Sequence, residues 1–310
     1  METAPRVAYR LDARVTRTLR SLFLSASLGA LIPVAGSVCA TEFCSCIGGG
    51  GRFLVMNGAT IPLDSRGIPW SGFISYNDNH EPVLPAATGF TIERVTPSGR
   101  TGVGVELELL TGPLVGDERF SRPLLLVKPR GGFSTHAQYV FTDHGGHSGR
   151  FLRGVPRQVA VNVSDRRLSD GSDTASAELV ATEQTRGELR VMATGGSCSI
   201  AIDAVQTGLE LRLGGDLNQW RDVLLFSTSV DGELWRPRSS VCSQVAPGES
   251  WTGRGTDRVF ADCTPDHPYG GPDFKLEQGR REVTVTAWWP GVASISGTTE
   301  VVLSCSGDLR

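Results

Sequence analysis

The sequence predicts an all-β protein: two β-sandwiches in tandem behind a cleaved export signal. Three observations carry that prediction. Short apolar runs alternate with period two and are punctuated by turn residues roughly every ten positions. Helical spacing is confined, after the leader, to a short stretch from Leu217 to Arg221. Six of the seven cysteines follow an arginine-rich and then apolar leader, which points to an oxidising compartment and a disulfide-stapled chain.

The leader carries Arg6, Arg10, Arg14, Arg17 and Arg20 against Glu2 and Asp12, then an apolar stretch over 21–36. Val38 and Ala40 occupy the two positions a signal peptidase inspects, so residues 1–40 read as a signal peptide cut after Ala40. Ser25, Ser27 and Pro33 interrupt the apolar stretch, which is shorter than the roughly 20 residues a spanning helix needs. No transmembrane segment is expected in the mature chain. The residues before Cys39 lack the leucine of a lipid-attachment site. No adjacent arginine pair occurs in the leader, so the general secretory route is expected. The expected location is secreted, periplasmic or cell-surface.

Loss of the leader leaves 25 Lys+Arg against 31 Asp+Glu, a net charge of −6 where the whole chain carries −3. A mildly acidic surface does not draw nucleic acid or anionic lipid, and neither is expected as a partner. The 38 glycines and 17 prolines suit many turns between short strands.

Residues 41–51 form a Cys/Gly-rich N-terminal segment, with Gly48–Gly51 expected as a flexible joint. Arg52–Met56 reads as a strand closed by the turn pair Asn57-Gly58. Further strands are expected at Gly72–Tyr76, Gly89–Val95, Val103–Leu110, Leu124–Val127, Gln138–Phe141 and Gln158–Val163. Thr96-Pro97-Ser98-Gly99 is a turn between two of them. In the last strand, Val159, Val161 and Val163 share one face. The polar stretch Ser164–Thr174, apolar only at Leu168, marks the boundary, so the sandwiches are expected over 52–164 and 175–310. The second set comprises Ala177–Ala181, Glu188–Ala193, Ile200–Val205, Leu209–Leu213, Val223–Ser227, Glu282–Trp288 and Glu300–Ser304. Asp231-Gly232 reads as a hairpin tip.

Gly58-Ala59-Thr60-Ile61-Pro62-Leu63-Asp64 resembles the opening "G-A-x-V-P-L-N" of Ig-like domains in secreted and surface proteins of bacteria. The run Leu124–Val127 through Ala137-Gln138-Tyr139-Val140-Phe141 is similar to their late strands, with a tyrosine in the penultimate one. Ser134-Thr135-His136 stands where that family has "pG". The resemblance covers roughly 50–163 and implies an Ig-like sandwich. An Ig-like pattern over Arg280–Ala287 and the strand ending at Cys305 implies the same for the second domain. Shared fold does not carry shared role.

The mature cysteines are Cys44, Cys46, Cys198, Cys242, Cys263 and Cys305, and all are expected in disulfides. Six cysteines allow fifteen connectivities. Cys44 and Cys46 either close a small ring on each other, reach across to the second domain, or stay free. Alternation puts Val301, Leu303 and Cys305 on the core face, so a buried bridge is expected at Cys305. Cys44-Ser45-Cys46 lacks the helix start that lowers a catalytic thiol's pKa.

Asp143, His144 and His147 are the strongest chemical constellation: two imidazoles and a carboxylate, which zinc accepts, within a loop that glycines let fold. The plain alternative is a polar hairpin loop. Gly146-His147-Ser148-Gly149-Arg150 departs from a nucleophile elbow at Arg150. Asp170-Gly171-Ser172-Asp173 lacks the ligand ladder of a calcium loop and reads as solvated linker. Asn162-Val163-Ser164 matches a glycosylation sequon. In the strand at Val283–Trp289, the valines, Ala287 and Trp289 take the core face. Trp288 points outward, either as an exposed platform for a sugar ring or covered by a loop or the other domain. Trp235 and Trp251 are expected to pack near a disulfide at Cys242.

No catalytic set and no cofactor are expected. The reading is a non-enzymatic secreted or cell-envelope protein, an adhesive or structural binding module that engages a protein or glycan at the cell surface. The alternatives are a zinc-dependent hydrolase at loop 143–147 and a carbohydrate-binding module using exposed aromatics.

Overall fold

The computed structural model describes residues 51–72, 75–76, 82–112, 114, 124–145, 157–193, 199–235, 251–252, 256–264, 266–267, 271–272 and 274–306. They belong to one compact unit spanning 40–310. The signal-peptide, Cys44, Cys46, Cys198, Cys242 and His147 expectations lie outside the described residues.

The strands are β1 (Arg52–Phe53), β2 (Ala59–Ile61), β3 (Ile68–Ser71), β4 (Ser75–Tyr76), β5 (Pro82–Val83), β6 (Phe90–Thr96), β7 (Gly99–Val103), β8 (Val105–Leu110), β9 (Leu124–Pro129), β10 (Gln138–Asp143) and β11 (Arg157–Val163). After them come β12 (Ser176–Ala181), β13 (Thr185–Met192), β14 (Ser199–Gly214), β15 (Leu225–Val230), β16 (Glu233–Leu234), β17 (Trp251–Thr252), β18 (Thr256–Asp262), β19 (Gly279–Trp289) and β20 (Ala293–Leu303). Among the described residues the helical elements are 3-10 turns at Ala87–Gly89, Ser169–Thr174 and Gly215–Trp220. None is long and apolar enough to cross a membrane.

Residues 52–163 build two facing sheets, β1-β3-β9-β8 and β2-β11-β10-β6-β7, with a small β4-β5 ribbon. Pairing is antiparallel except for β2 beside β11. Alternation explains the interior. Val159, Val161 and Val163 are all buried, and Phe141 lies between Ile92 and Val159 in the ladder. Trp70 and Phe90 meet edge to face at 5.4 Å, as Phe133 and Tyr139 do at 5.1 Å. The Tyr139 hydroxyl accepts the Ser134 N–H at 3.1 Å, bracing the loop that enters β10. In that loop His136 takes φ 54°, the left-handed region that glycine adopts most readily.

Residues 176–303 build a second pair: β12-β14-β13 with β18 on β14, and β16-β15-β19-β20 with β17 on β15. Gly297 is where β12 crosses β20: a Cβ there would stand 2.8 Å from the Leu179 backbone nitrogen. One continuous hydrophobic cluster draws buried residues from both halves of the chain.

Several expected elements differ. The strand expected at Val103–Leu110 is two, because the chain leaves one sheet for the other at Gly104, and period two is blind to a change of sheet. The runs Ile200–Val205 and Leu209–Leu213 are one strand, β14. Its buried residues shift from Ile202 and Ala204 to Val205, Leu209, Leu211 and Leu213. Both faces of its middle are covered: Trp235 meets Phe260 edge to face opposite Gln206, and Leu303 packs with Val205 and Ala261. Of the strand expected at Gly72–Tyr76, Ser75–Tyr76 is β4, while β3 at Ile68–Ser71 was not expected. Pro69 is tolerated because its carbonyl, and so its missing N–H, face β1, where Leu54 N–H donates at 2.8 Å.

The linker is not solvated throughout. Leu168 is 0% exposed, and the Asp64 carboxylate accepts the Leu168 and Ser169 N–H groups at 2.9 and 3.0 Å. Gly51 is no free joint either: its carbonyl accepts from Arg157 at 2.7 Å.

Candidate functional site

Alternation along β10 aims Tyr139, Phe141 and Asp143 between the sheets and turns His144 the other way. Asp143 is 3% exposed. Its Oδ2 accepts Trp70 Nε1–H at 2.9 Å, and its Oδ1 accepts the Gly145 N–H at 2.8 Å. Trp70 reaches it from β3 of the opposite sheet, between two glycines. A Cβ on Gly51 would fall 1.8 Å from the indole and one on Gly72 2.3 Å. His144 is exposed, with Nε2 3.1 Å from Thr91 Oγ1 and its N–H on the Gly89 carbonyl. The carboxylate and the imidazole that zinc would share thus face opposite sides of the sheet. Among the described residues no group of three His, Cys, Asp or Glu side chains is placed to hold a metal. Asp170 is exposed on its 3-10 turn, while Asn162 is tied within the sheet to Gln138 and the Gly58 carbonyl.

Trp288 does point away from the main core, but it is not an exposed platform. It is 6% exposed and shares a buried cluster with Leu54, Leu124 and Leu225, flanked by Leu110 and Leu114. Its Nε1–H donates to Ser227 Oγ at 3.0 Å, and that hydroxyl donates to the Leu114 carbonyl at 2.9 Å. Of the two readings of this residue, the covered one holds: Leu54, Leu124, Leu110 and Leu114 of the first half pack over it. Trp235 packs on Phe260 and Phe274, with Nε1–H on the Arg258 carbonyl.

Cys263 and Cys305 are bridged, with their Cα atoms 5.5 Å apart. The bridge is half-buried and not in the core. β20 ends at Leu303, so the alternation that aimed Cys305 inward stops short of it. Backbone and side-chain bonds bracket the pair. Cys263 N–H donates to the Asp203 carbonyl, Arg186 Nη1 donates to the Cys305 carbonyl, and Cys305 N–H donates to Gln278 Oε1. Arg186 also pairs with Asp203 at 2.6 Å. Its hydrogen bond is the main cause that holds the Asp203 carboxyl below the usual range. Asp231 is lowered likewise by Arg281 and by the Glu282 N–H.

One charged cluster escaped sequence reading. The Asp262 side chain is 0% exposed, with Oδ2 2.5 Å from His267 Nε2 and 3.6 Å from Lys275 Nζ. Its Oδ1 accepts the Thr264 N–H at 2.9 Å. Among the described residues His267 bonds to Asp262, forming a carboxylate–imidazole pair. It pins the segment after β18 onto the sheet. The available signal was parity: Asp262 shares the face of buried Phe260.

The fold defines a β-sandwich protein. The sequence matches no protein-family model and no curated protein. Among solved structures, the fibronectin(III)-like modules of Clostridium thermocellum CbhA align with 82% of this chain and 94% of theirs. The identity is 10% and the TM-score 0.23, a likeness too small to carry an argument.

Proposed function

We propose that this chain is a non-enzymatic secreted or cell-envelope protein, two tandem Ig-like sandwiches that act together as an adhesive or structural binding module. The observation that carries the reading is the Trp288 seam. The aromatic side chain best placed to bind a ligand instead joins the two halves, through Leu54, Leu124 and the Ser227–Leu114 link. A second support is Asp143, whose carboxylate braces Trp70 inside the first sandwich.

The test has two readings. Cell fractionation should find the protein outside the cytosol with its N-terminus at Thr41, and labelled protein should bind the surface of the producing cells. Protein found in the cytosol with reduced cysteines sinks the proposal. So does stoichiometric zinc that disappears on replacing His144 and His147 together.

A further inference from the structure

One pairing in the first sandwich departs from the antiparallel pattern. β2 runs parallel to β11, with Ala59 beside Val161, Thr60 beside Asn162 and Ile61 beside Val163. The row of bonds between these segments extends past both ends of β2. Before it, Asn57 Oδ1 accepts the Ala160 N–H at 2.8 Å, and the Gly58 N–H donates to the Ala160 carbonyl at 2.7 Å. At its end the Ser164 N–H donates to the Ile61 carbonyl at 3.0 Å, and beyond it the Leu63 N–H donates to the Arg166 carbonyl at 2.9 Å. The Asp64 carboxylate closes the row by accepting the Leu168 and Ser169 N–H groups. Ile61, Val161, Val163 and Leu168 are buried beneath it.

The direction of this pair decides how it meets tension. The chain enters β2 from Asn57 and leaves β11 through Ser164 toward the second sandwich. Tension along the chain therefore pulls β2 back from its start and β11 forward from its end. In a parallel pair those two points lie at opposite ends of the row. The pull runs along the strands, every bond is loaded at once, and the bonds must fail together. In an antiparallel pair the same two points would lie side by side, and the bonds would open one at a time.

We propose that segments 57–64 and 160–169 form a load-bearing clamp, through which the first sandwich passes tension to the second without unfolding. Strand pairing alone would give β2 three residues of grip. Asn57 at one end and Asp64 at the other lengthen it with side-chain acceptors. The proposal deepens the structural-module reading and rests on it for the source of the load, a cell surface to which the protein is held.

The test pulls single molecules of the purified full chain in an optical trap. Attachment at Met56 and Asp170, both exposed, loads the row along its length. Attachment at Met56 and Gln158 loads the same row from one end. The first geometry should withstand a clearly higher force than the second. At fixed force in the first geometry, Asp64→Ala should rupture about tenfold faster, as expected for losing hydrogen bonds to a charged group. It should leave the opening force in the second geometry unchanged, because opening there starts at the end remote from Asp64. Asp64→Asn keeps one acceptor oxygen and should show a smaller effect of the same kind, which preserves the test if the alanine variant misfolds. Equal forces in the two geometries overturn the proposal. So does an Asp64 variant that leaves the first geometry unchanged or weakens both equally. Failure of the module reading shows elsewhere, in fractionation and surface binding, neither of which depends on rupture force.

Discussion

The indole N–H of Trp70 donates to the carboxylate of Asp143 at 2.9 Å, joining the two sheets of the first sandwich from inside. Asp143→Ala removes the acceptor from a buried site. The expected loss is about 1–3 kcal/mol of unfolding free energy, measured by urea titration. Trp70→Phe combined with Asp143→Ala should cost less than the two singles added together, since they share one bond. Strict additivity would show that the contact contributes nothing.

The glycines around that indole are as specific as the bond. A Cβ on Gly72 would lie 2.3 Å from Trp70, closer than any real contact allows. Gly72→Ala is expected to cost about 1–3 kcal/mol through forced repacking and to shift the near-ultraviolet tryptophan signal. Gly102→Ala, with open space around it, is the control and should change neither.

His136 holds a left-handed backbone at φ 54°. A non-glycine residue there costs roughly 1–2 kcal/mol, partly offset because glycine loses more entropy on folding. His136→Gly should therefore raise the melting temperature modestly. A fall in melting temperature would mean that the imidazole does more than occupy the turn.

Acid stability should depend on Asp203. Arg186 lowers its folded pKa, so its contribution is present above the unfolded value of about 3.9 and fades as pH falls through the lower folded value. Asp203→Asn should lower the neutral plateau slightly and flatten the acid limb of stability below about pH 4. An unchanged acid limb in denaturant titrations across that range counts against the pairing.

Trp288→Ala should cost about 3–5 kcal/mol, the usual penalty for truncating a buried tryptophan, because the side chain is 6% exposed. It should also separate the unfolding of the two halves into distinct calorimetric transitions. A single unshifted transition would show that the seam does not couple them.

Much of the architecture was legible along the chain. The alternation in Gln158–Val163 and Glu282–Trp288 marked real strands, and Asn57-Gly58, Pro97-Ser98 and Asp231-Gly232 marked real turns. These features are local: a period-two run declares its buried face, and a turn residue declares its φ. Gly104 was not legible, because a strand that changes sheets keeps its local geometry. β14 reads as two runs because its buried parity shifts between Ala204 and Val205. The candidate site was the least legible part, since proximity in sequence brought Asp143 and His144 together while the pleat drove them apart.

The sequence by itself determined the all-β class, most strand positions and the turn chemistry, because each depends on backbone preferences and on the parity of neighbouring residues. Tertiary structure alone decided partners across long separations. It gave Asp143 to Trp70, Cys263 to Cys305, Asp64 to the linker and Trp288 to the other half of the chain. Those choices rest on which faces meet when the sheets pack, and no periodicity along the chain encodes that.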